Sequence, residues 1–434
     1  MSLLIENVRV VTPGKADLAS GFIRCANARI DEIGPMGTDP AKGPMGTDPA
    51  KGPIGPMGTV PTIGPMGTVP TESMGTVPPE AVERFDAAGL IALPGFIDIH
   101  SHGRSGADFC DATDEAFDKI GHDKLADGVT GFLATGLTRP EEDLAELCRC
   151  AERYKSRSQH SQPLSTCLGV HLEGPFFNRE MAGAQNPAYL KNPDAAFVKR
   201  LHAISPVKKV SLAPELDGAE ACIRELSTDG IVSSGGHSMA DYACFERARA
   251  AGMTHLTHFC NAMVPIHHLR PSMVTGGLLA DDVYVELITD GVHLSDPMIA
   301  LITRAKGPEK VMVITDAMCA AGCPDGLYEL GGLPVRVADG CARLANVPND
   351  PNKLVSNVAG SVALYYKCFQ RLVRVTGWSL SDASRATSLN QCLSLRIPDR
   401  GRLEPGYVAD IVLVDADLVP QATIVGGRIA WRSK

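Results

Sequence analysis

Blocks of like charge, long apolar runs and paired cysteine motifs are all missing from this chain. Its 41 Lys and Arg are interspersed with 50 Asp and Glu, giving a net charge of -9. Neutralising a nucleic-acid backbone takes clustered cations, so nucleic acid is excluded as a partner, whereas one small anion needs only two or three local donors. No apolar run reaches the roughly 18 residues that a membrane-crossing helix requires. Residues 1–11 alternate like a strand and lack the basic-then-apolar order of a secretion signal. A cytoplasmic protein with no membrane partner is therefore expected. The 13 cysteines run from Cys25 to Cys392 without a CxxC pair, and a chain this long does not call for a disulfide framework. They read as reduced thiols, mostly core residues, and Cys260 and Cys319 share that reading.

With 434 residues, 44% of them hydrophobic, there is room for a barrel of about 250–330 residues and a smaller second domain. One stretch stands apart. Within 34–79 the tetrapeptide PMGT recurs at Pro35, Pro44, Pro56 and Pro65, with SMGT at Ser73. Proline opens several triplets in place of glycine (Pro40, Pro49, Pro61, Pro70), which a collagen axis does not tolerate. So few large apolar side chains cannot bury a core, and the stretch reads as a tandem expansion inside a β-turn.

On either side the pattern is that of short strands. Residues 3–11, 21–33 and 82–92 alternate and are rich in Val, Ile and Phe, and 410–414 and 423–431 do the same near the C-terminus. Strands from both ends imply one small β-sandwich domain, built from 1–92 (with 34–79 inserted) and 404–434. Between them, within 93–403, apolar runs at 95–100, 128–133, 167–171, 208–212, 230–234, 253–258, 283–288 and 310–315 alternate with helix-like segments. That alternation specifies an α/β fold, a (β/α)₈ TIM barrel.

The ends of these runs carry the chemistry. The first ends in His100-Ser101-His102, and residues two apart on a strand face the same way, so both imidazoles turn to the barrel mouth. Two such side chains suit a divalent metal of borderline softness. The third run ends in Glu173, a carboxylate too costly to bury without a metal or a basic partner. His237, His258 and His293 follow runs five, six and seven, and Asp316 follows run eight. Each alone reads as an ordinary core or surface residue; together, at one end of one barrel, they read as a metal-dependent hydrolytic site. His122, His160 and His202 lie away from run ends, and His255, three residues before His258, is expected to face the opposite way. His267 and His268 follow the sixth run in a loop within reach of a substrate.

These motifs resemble the amidohydrolase superfamily and, within it, the N-acetylglucosamine-6-phosphate deacetylase family. PGFIDIHSHG, HLEGPFFN, GGHS, THFCNAM, DGVH, TDAM and the late GRLEPGYVADIVLVD carry the likeness from Leu93 onward. The resemblance implies that Glu173, His237 and His258 hold the metal that activates water, with His100 and His102 adding a second position that shares Glu173. It makes Asp316 the catalytic acid–base, His293 a substrate contact, and Asn261 with the backbone of Ala262 part of a phosphate site. One or two divalent ions are implied, zinc or iron before manganese or cobalt, together with a small amino-sugar substrate and a homodimer. Two departures mark the pocket. The family reads HHREPG after NAM, whereas here Leu269 takes the arginine's place and Arg270 comes one position later. The family reads KGAH after HLEGPF, whereas here the histidine's place is taken by Gln185. Arg270, His268 and Gln185 are accordingly the candidates for sugar or phosphate contacts. The competing readings are a different N-acyl substrate, an unphosphorylated N-acetylhexosamine, a cyclic amidase (which typically uses a carboxylated lysine) and a non-catalytic scaffold.

Overall fold

The computed structural model describes residues 2–37, 82–158, 163–347 and 357–434. The eight apolar runs form eight parallel strands, Phe96–Ser101, Val129–Gly136, Thr166–Phe176, Val207–Leu212, Val232–Gly235, His255–Leu256, Tyr284–Ile288 and Val311–Ile314, paired in sequence order. A helix follows each strand before the next begins, and the barrel's outer face packs on these helices through Phe132, Val170, Val210, Leu256, Val285 and Val313. A second cluster, with Ile97, Ile99, Leu133, Val232, Ile288, Met312 and Ile314 closed by Cys392 and Leu395, fills the interior, as expected of a packed core with no pore. Eighth and first strands meet through Asp316 N–H donating to His100 O at 2.9 Å and Thr315 Oγ1 to Asp98 Oδ2 at 2.7 Å.

The sixth strand is shorter than its sequence predicts. Only His255 and Leu256 pair as strand, and the chain then turns through left-handed backbone at His258, Cys260 and Ala262. His255 faces inward at the lower end of the barrel, its ring 5.3 Å from that of Tyr284. Its separation from His258 thus comes from that turn and not from simple alternation.

Both termini build one further sheet. Ser2–Val10 lies antiparallel to Leu18–Ala26 and parallel to Val82–Asp86 and Ile91–Pro94, and Ile91–Pro94 then pairs with Ile411–Val414, followed by Pro420–Val425 and Arg428–Arg432. The sheet follows one hydrogen-bonded path, with Val82–Asp86 joined to Ser2–Val10 off it, and curls until its ends face each other around Ile5, Ile23, Ile411 and Ile424. Ile30 N–H donates to Tyr407 O at 2.9 Å and Ala409 N–H to Ala28 O at 3.0 Å across that closure.

Most of the PMGT stretch lies outside the described residues, but its flanks correct the turn reading. Arg29–Pro35 and Val82–Asp86 both run parallel to Ser2–Val10 and do not pair with each other. Parallel strands cannot be joined by a hairpin turn and need a crossover of a dozen or more residues. A three-stranded antiparallel sheet, Gly326–Leu330, Leu333–Ala338 and Cys341–Leu344, follows the eighth strand and was not foreseen. Its Leu330, Val335, Val337 and Ala342 pack on Leu137 and Met318 beside the barrel mouth.

Candidate active site

The ends of the first, third, fifth, sixth and eighth strands deliver six side chains to the same spot above the barrel, two of them from the first strand. Glu173 sits at its centre. Its Oε1 lies 3.3 Å from His100 Nε2, 3.4 Å from His237 Nε2 and 3.2 Å from His258 Nε2, and its Oε2 lies 3.2 Å from His102 Nε2. Asp316 Oδ1 closes the other side, 3.1 Å from His102 Nε2 and 3.4 Å from His100 Nε2. All six side chains are buried. His237, His258 and Asp316 have φ of 46°, 28° and 50°, a left-handed backbone that non-glycine residues adopt mainly where the fold over-determines it, often at functional sites.

Burial opposes charge on these groups, yet the Glu173 and Asp316 carboxylates overrule it and push His100 up to about 9 and His102 well above its ordinary range. In return the imidazoles, against the effect of burial, hold Glu173 well below and Asp316 below the usual carboxylate range. Asp316 is therefore ionised at neutral pH, the form a base needs. Burial pulls His258 down despite Glu173, favouring the neutral imidazole of a metal ligand.

The side chains form two sets, His100, His102, Glu173 and Asp316, and Glu173, His237 and His258, each with its ligand atoms within 4.8 Å of one another. His100 Nε2 is buried without a hydrogen-bond partner, and His237 Nε2 and His258 Nε2 stand only 3.0 Å apart. Nitrogen and oxygen donors converging in this way fit divalent transition metals.

A cavity opens over these groups, lined by His102, Glu173, His237, His258, His293 and Asp316, and by Asn261, Ala262, Gln185, Leu137, Gly183, Ala184, Leu330, Val358 and Gly360. His293 Nδ1 is held by Asp290 Oδ2 at 2.8 Å, and this carboxylate raises the His293 pKa in spite of burial. Gln185 lines the cavity, but its side chain is engaged: Nε2 donates to Glu173 Oε2 at 2.6 Å while Oε1 accepts from Thr138 N at 2.8 Å. It steadies Glu173 from the wall of the cavity, where a substrate contact was expected of it. Arg270 and His268 are exposed and do not line the cavity. His268 instead stacks on His267, with ring centroids 4.7 Å apart. The one-residue shift of the arginine thus leaves no cation where the loop was expected to supply one.

Behind the site stands a layer that the motifs did not reveal. Glu286 Oε2 accepts from His100 Nδ1 at 3.1 Å, and Lys209 pairs with the other oxygen of Glu286. His171 lies between Thr135 Oγ1 at 3.3 Å and Ser211 Oγ at 2.8 Å. The available signal was a lysine in one apolar strand and a glutamate in another, which inside a barrel calls for an ion pair. Of the remaining histidines, His122 pairs with Asp123, His202 contacts Val207 O, and His160 lies outside the described residues.

A barrel with this ligand geometry defines the class, and comparison with known proteins agrees. The amidohydrolase family model matches residues 91–430. The Bacillus subtilis N-acetylglucosamine-6-phosphate deacetylase is 37% identical over 80% of this chain and 86% of its own length. The Escherichia coli N-acetylgalactosamine-6-phosphate deacetylase is 33% identical over 82% and 90%. Among solved structures, a mutant of the Mycobacterium smegmatis N-acetyl-D-glucosamine-6-phosphate deacetylase in complex with N-acetyl-D-glucosamine-6-phosphate superposes with a TM-score of 0.79 at 30% identity, covering 99% of both chains. The chain belongs to the amidohydrolase family and, within it, to the N-acetylglucosamine-6-phosphate deacetylases. It is a metal-dependent amide hydrolase, and no helix among the described residues is long and apolar enough to cross a membrane.

Proposed function

We propose that this protein hydrolyses the acetamide of an amino-sugar 6-phosphate, N-acetylglucosamine 6-phosphate first, to acetate and the free amino sugar phosphate. The observation that carries the reading is the convergence of an ionised Asp316 with two ligand sets that share Glu173 in one cavity. The galactosamine counterpart is the competing substrate, because the Escherichia coli relative with that activity is about as similar as the glucosamine enzymes.

Zinc or iron, with manganese or cobalt also compatible, would be held by Glu173, His237 and His258, and a second ion by His100, His102 and Glu173. When bound, such an ion polarises the amide carbonyl and makes water a stronger acid. Asp316 takes a proton from the attacking water as the C–O bond forms at the acetyl carbon. It returns that proton to the amide nitrogen as the C–N bond breaks, so acetate and the amine leave. His293, fixed through Nδ1 by Asp290, turns Nε2 towards the substrate oxygens as a donor. A reducing compartment such as the cytoplasm suits the thirteen free thiols. A homodimer is part of the same reading and rests on the family likeness.

The test is acetate release from both N-acetylhexosamine 6-phosphates before and after chelation, alongside Asp316→Asn. Chelation should abolish turnover and added divalent metal restore it, and Asp316→Asn should lower kcat by about 10²–10⁴ with substrate still bound. Full activity of metal-free protein, or near-normal turnover of Asp316→Asn, overturns the mechanism.

A further inference from the structure

The three-stranded sheet beside the cavity carries two arginines in an arrangement that is unfavourable by itself. Arg336 and Arg343 are directly opposed across the pairing of Leu333–Ala338 with Cys341–Leu344, so their side chains stand side by side on one face. Like charges directly opposite one another destabilise a sheet. Arg336 is exposed, and neither arginine forms a salt bridge among the described residues. The one side-chain hydrogen bond of Arg343 goes to a neutral amide, Asn357 Oδ1, at 2.8 Å, which leaves donors of its guanidinium unused.

One edge of this face borders the cavity, whereas Val335, Val337 and Ala342 turn the other face to the barrel mouth. Arg343 is also directly opposed to Val358, and opposed residues of an antiparallel pair share a face. Val358 lines the cavity, as do Gly360 and His293. The positive charge of Arg343 is felt at His293, where it acts against protonation. A cation pair of this kind becomes favourable when an anion bridges it, because a guanidinium fork presents parallel donors to phosphate oxygens.

We infer that Arg343, backed by Arg336, is the anion-recognising edge of the cavity and receives the phosphate of the amino-sugar substrate in place of the arginine missing at Leu269. The assignment rests on the deacetylase reading above. It moves the specificity determinant from the loop after the sixth strand to a sheet appended after the eighth.

The experiment compares kcat/KM for N-acetylglucosamine 6-phosphate and for N-acetylglucosamine in the parent, Arg343→Ala, Arg343→Lys, Arg336→Ala and Arg270→Ala. The parent should prefer the phosphorylated sugar. Arg343→Ala should cut the ratio of the two values by about 10–150-fold, the worth of one charge-assisted contact. Arg343→Lys should keep part of the ratio, as a point charge without the fork, and Arg336→Ala should lower it less than Arg343→Ala. A parent without preference, a ratio that survives Arg343→Ala, or one that collapses in Arg270→Ala instead overturns the assignment. Should the parent cleave neither sugar, the deacetylase reading fails by itself. Calorimetry with glucosamine 6-phosphate and with inorganic phosphate then decides this inference: binding lost in Arg343→Ala supports it, and binding unchanged overturns it.

Discussion

Lys209 and Glu286 are wholly buried, and their ion pair supports His100. With Glu286 accepting from Nδ1–H, the proton His100 gives up when it takes a metal leaves from Nε2, the atom turned towards Glu173 and Asp316, the arrangement by which a carboxylate orients a metal-binding imidazole. Stability and metal affinity should therefore separate. Glu286→Gln strands a buried ammonium and should cost about 3–5 kcal/mol, whereas the double variant Lys209→Met with Glu286→Leu removes both charges and should recover most of it. Both proteins should nonetheless bind metal about 10–100-fold more weakly, since neither keeps the orienting carboxylate. Titration with a competing chelator, next to urea unfolding, measures the two effects. A double variant with parental metal affinity would show that Glu286 serves only the core. His255 offers a second test. Burial first, then the charges of Lys209 and Lys310, push it down to about 3, while an unfolded histidine titrates near 6.5. Between those values the unfolded chain binds the extra proton, so stability is full above about 6.5 and falls as the pH drops towards 3. His255→Phe, which keeps a ring against Tyr284, should flatten the acid limb of urea midpoints measured from pH 7 to pH 4. An acid limb as steep as the parent's would assign that sensitivity elsewhere.

At the scale of elements, strand cores were legible and strand ends were not. Eight apolar runs predict the eight barrel strands because burial on both faces demands continuous Val, Ile and Leu, a signal that local context does not blur. The convergence of the candidate ligands was legible for a related reason: a histidine or carboxylate directly after such a run stands at the barrel mouth wherever the strand stops. The turn after Leu256 was hidden, because a left-handed backbone at His258, Cys260 and Ala262 is imposed by packing and not by glycine. Hidden too was the reach of Gln185, whose buried bonds to Glu173 and Thr138 depend on a loop conformation with no periodic signature. The three-stranded sheet escaped notice although residues 326–344 alternate buried and exposed positions. Its short strands lie within a region that a barrel reading assigns to a loop, and its contribution to the cavity through Leu330 is a matter of tertiary placement.

For the whole molecule, the sheet built from both termini ties the chain's ends to the barrel, and the PMGT stretch interrupts that sheet at a place the topology now defines. The stretch leaves from Arg29–Pro35 and returns at Val82–Asp86, two parallel strands with Leu18–Ala26 and Ser2–Val10 lying between them. Three strand spacings of about 4.8 Å separate them sideways. The two end points are also offset along the sheet, because Pro35 lies level with Gly21 and hence Val8, whereas Val82 lies level with Ser2. Six residues of strand add about 20 Å at roughly 3.3 Å each, for a span near 25 Å. At no more than about 3.6 Å per residue, seven residues reach only when fully stretched, and about a dozen give a relaxed crossover. Replacing 38–81 by a twelve-residue Gly/Ser linker should therefore leave kcat/KM within about twofold and the melting temperature within a few degrees, since loop-closure entropy changes little with length. Replacing the same residues by a two-residue turn should instead unpair Val82–Asp86 or Arg29–Pro35 and lower the melting temperature sharply. Thermal unfolding and steady-state kinetics on the two variants check both arms. A twelve-residue variant that folds but has lost activity would show that the repeat serves the active site directly, and a two-residue variant as stable as the parent would show that the sheet tolerates the loss of one of these strands.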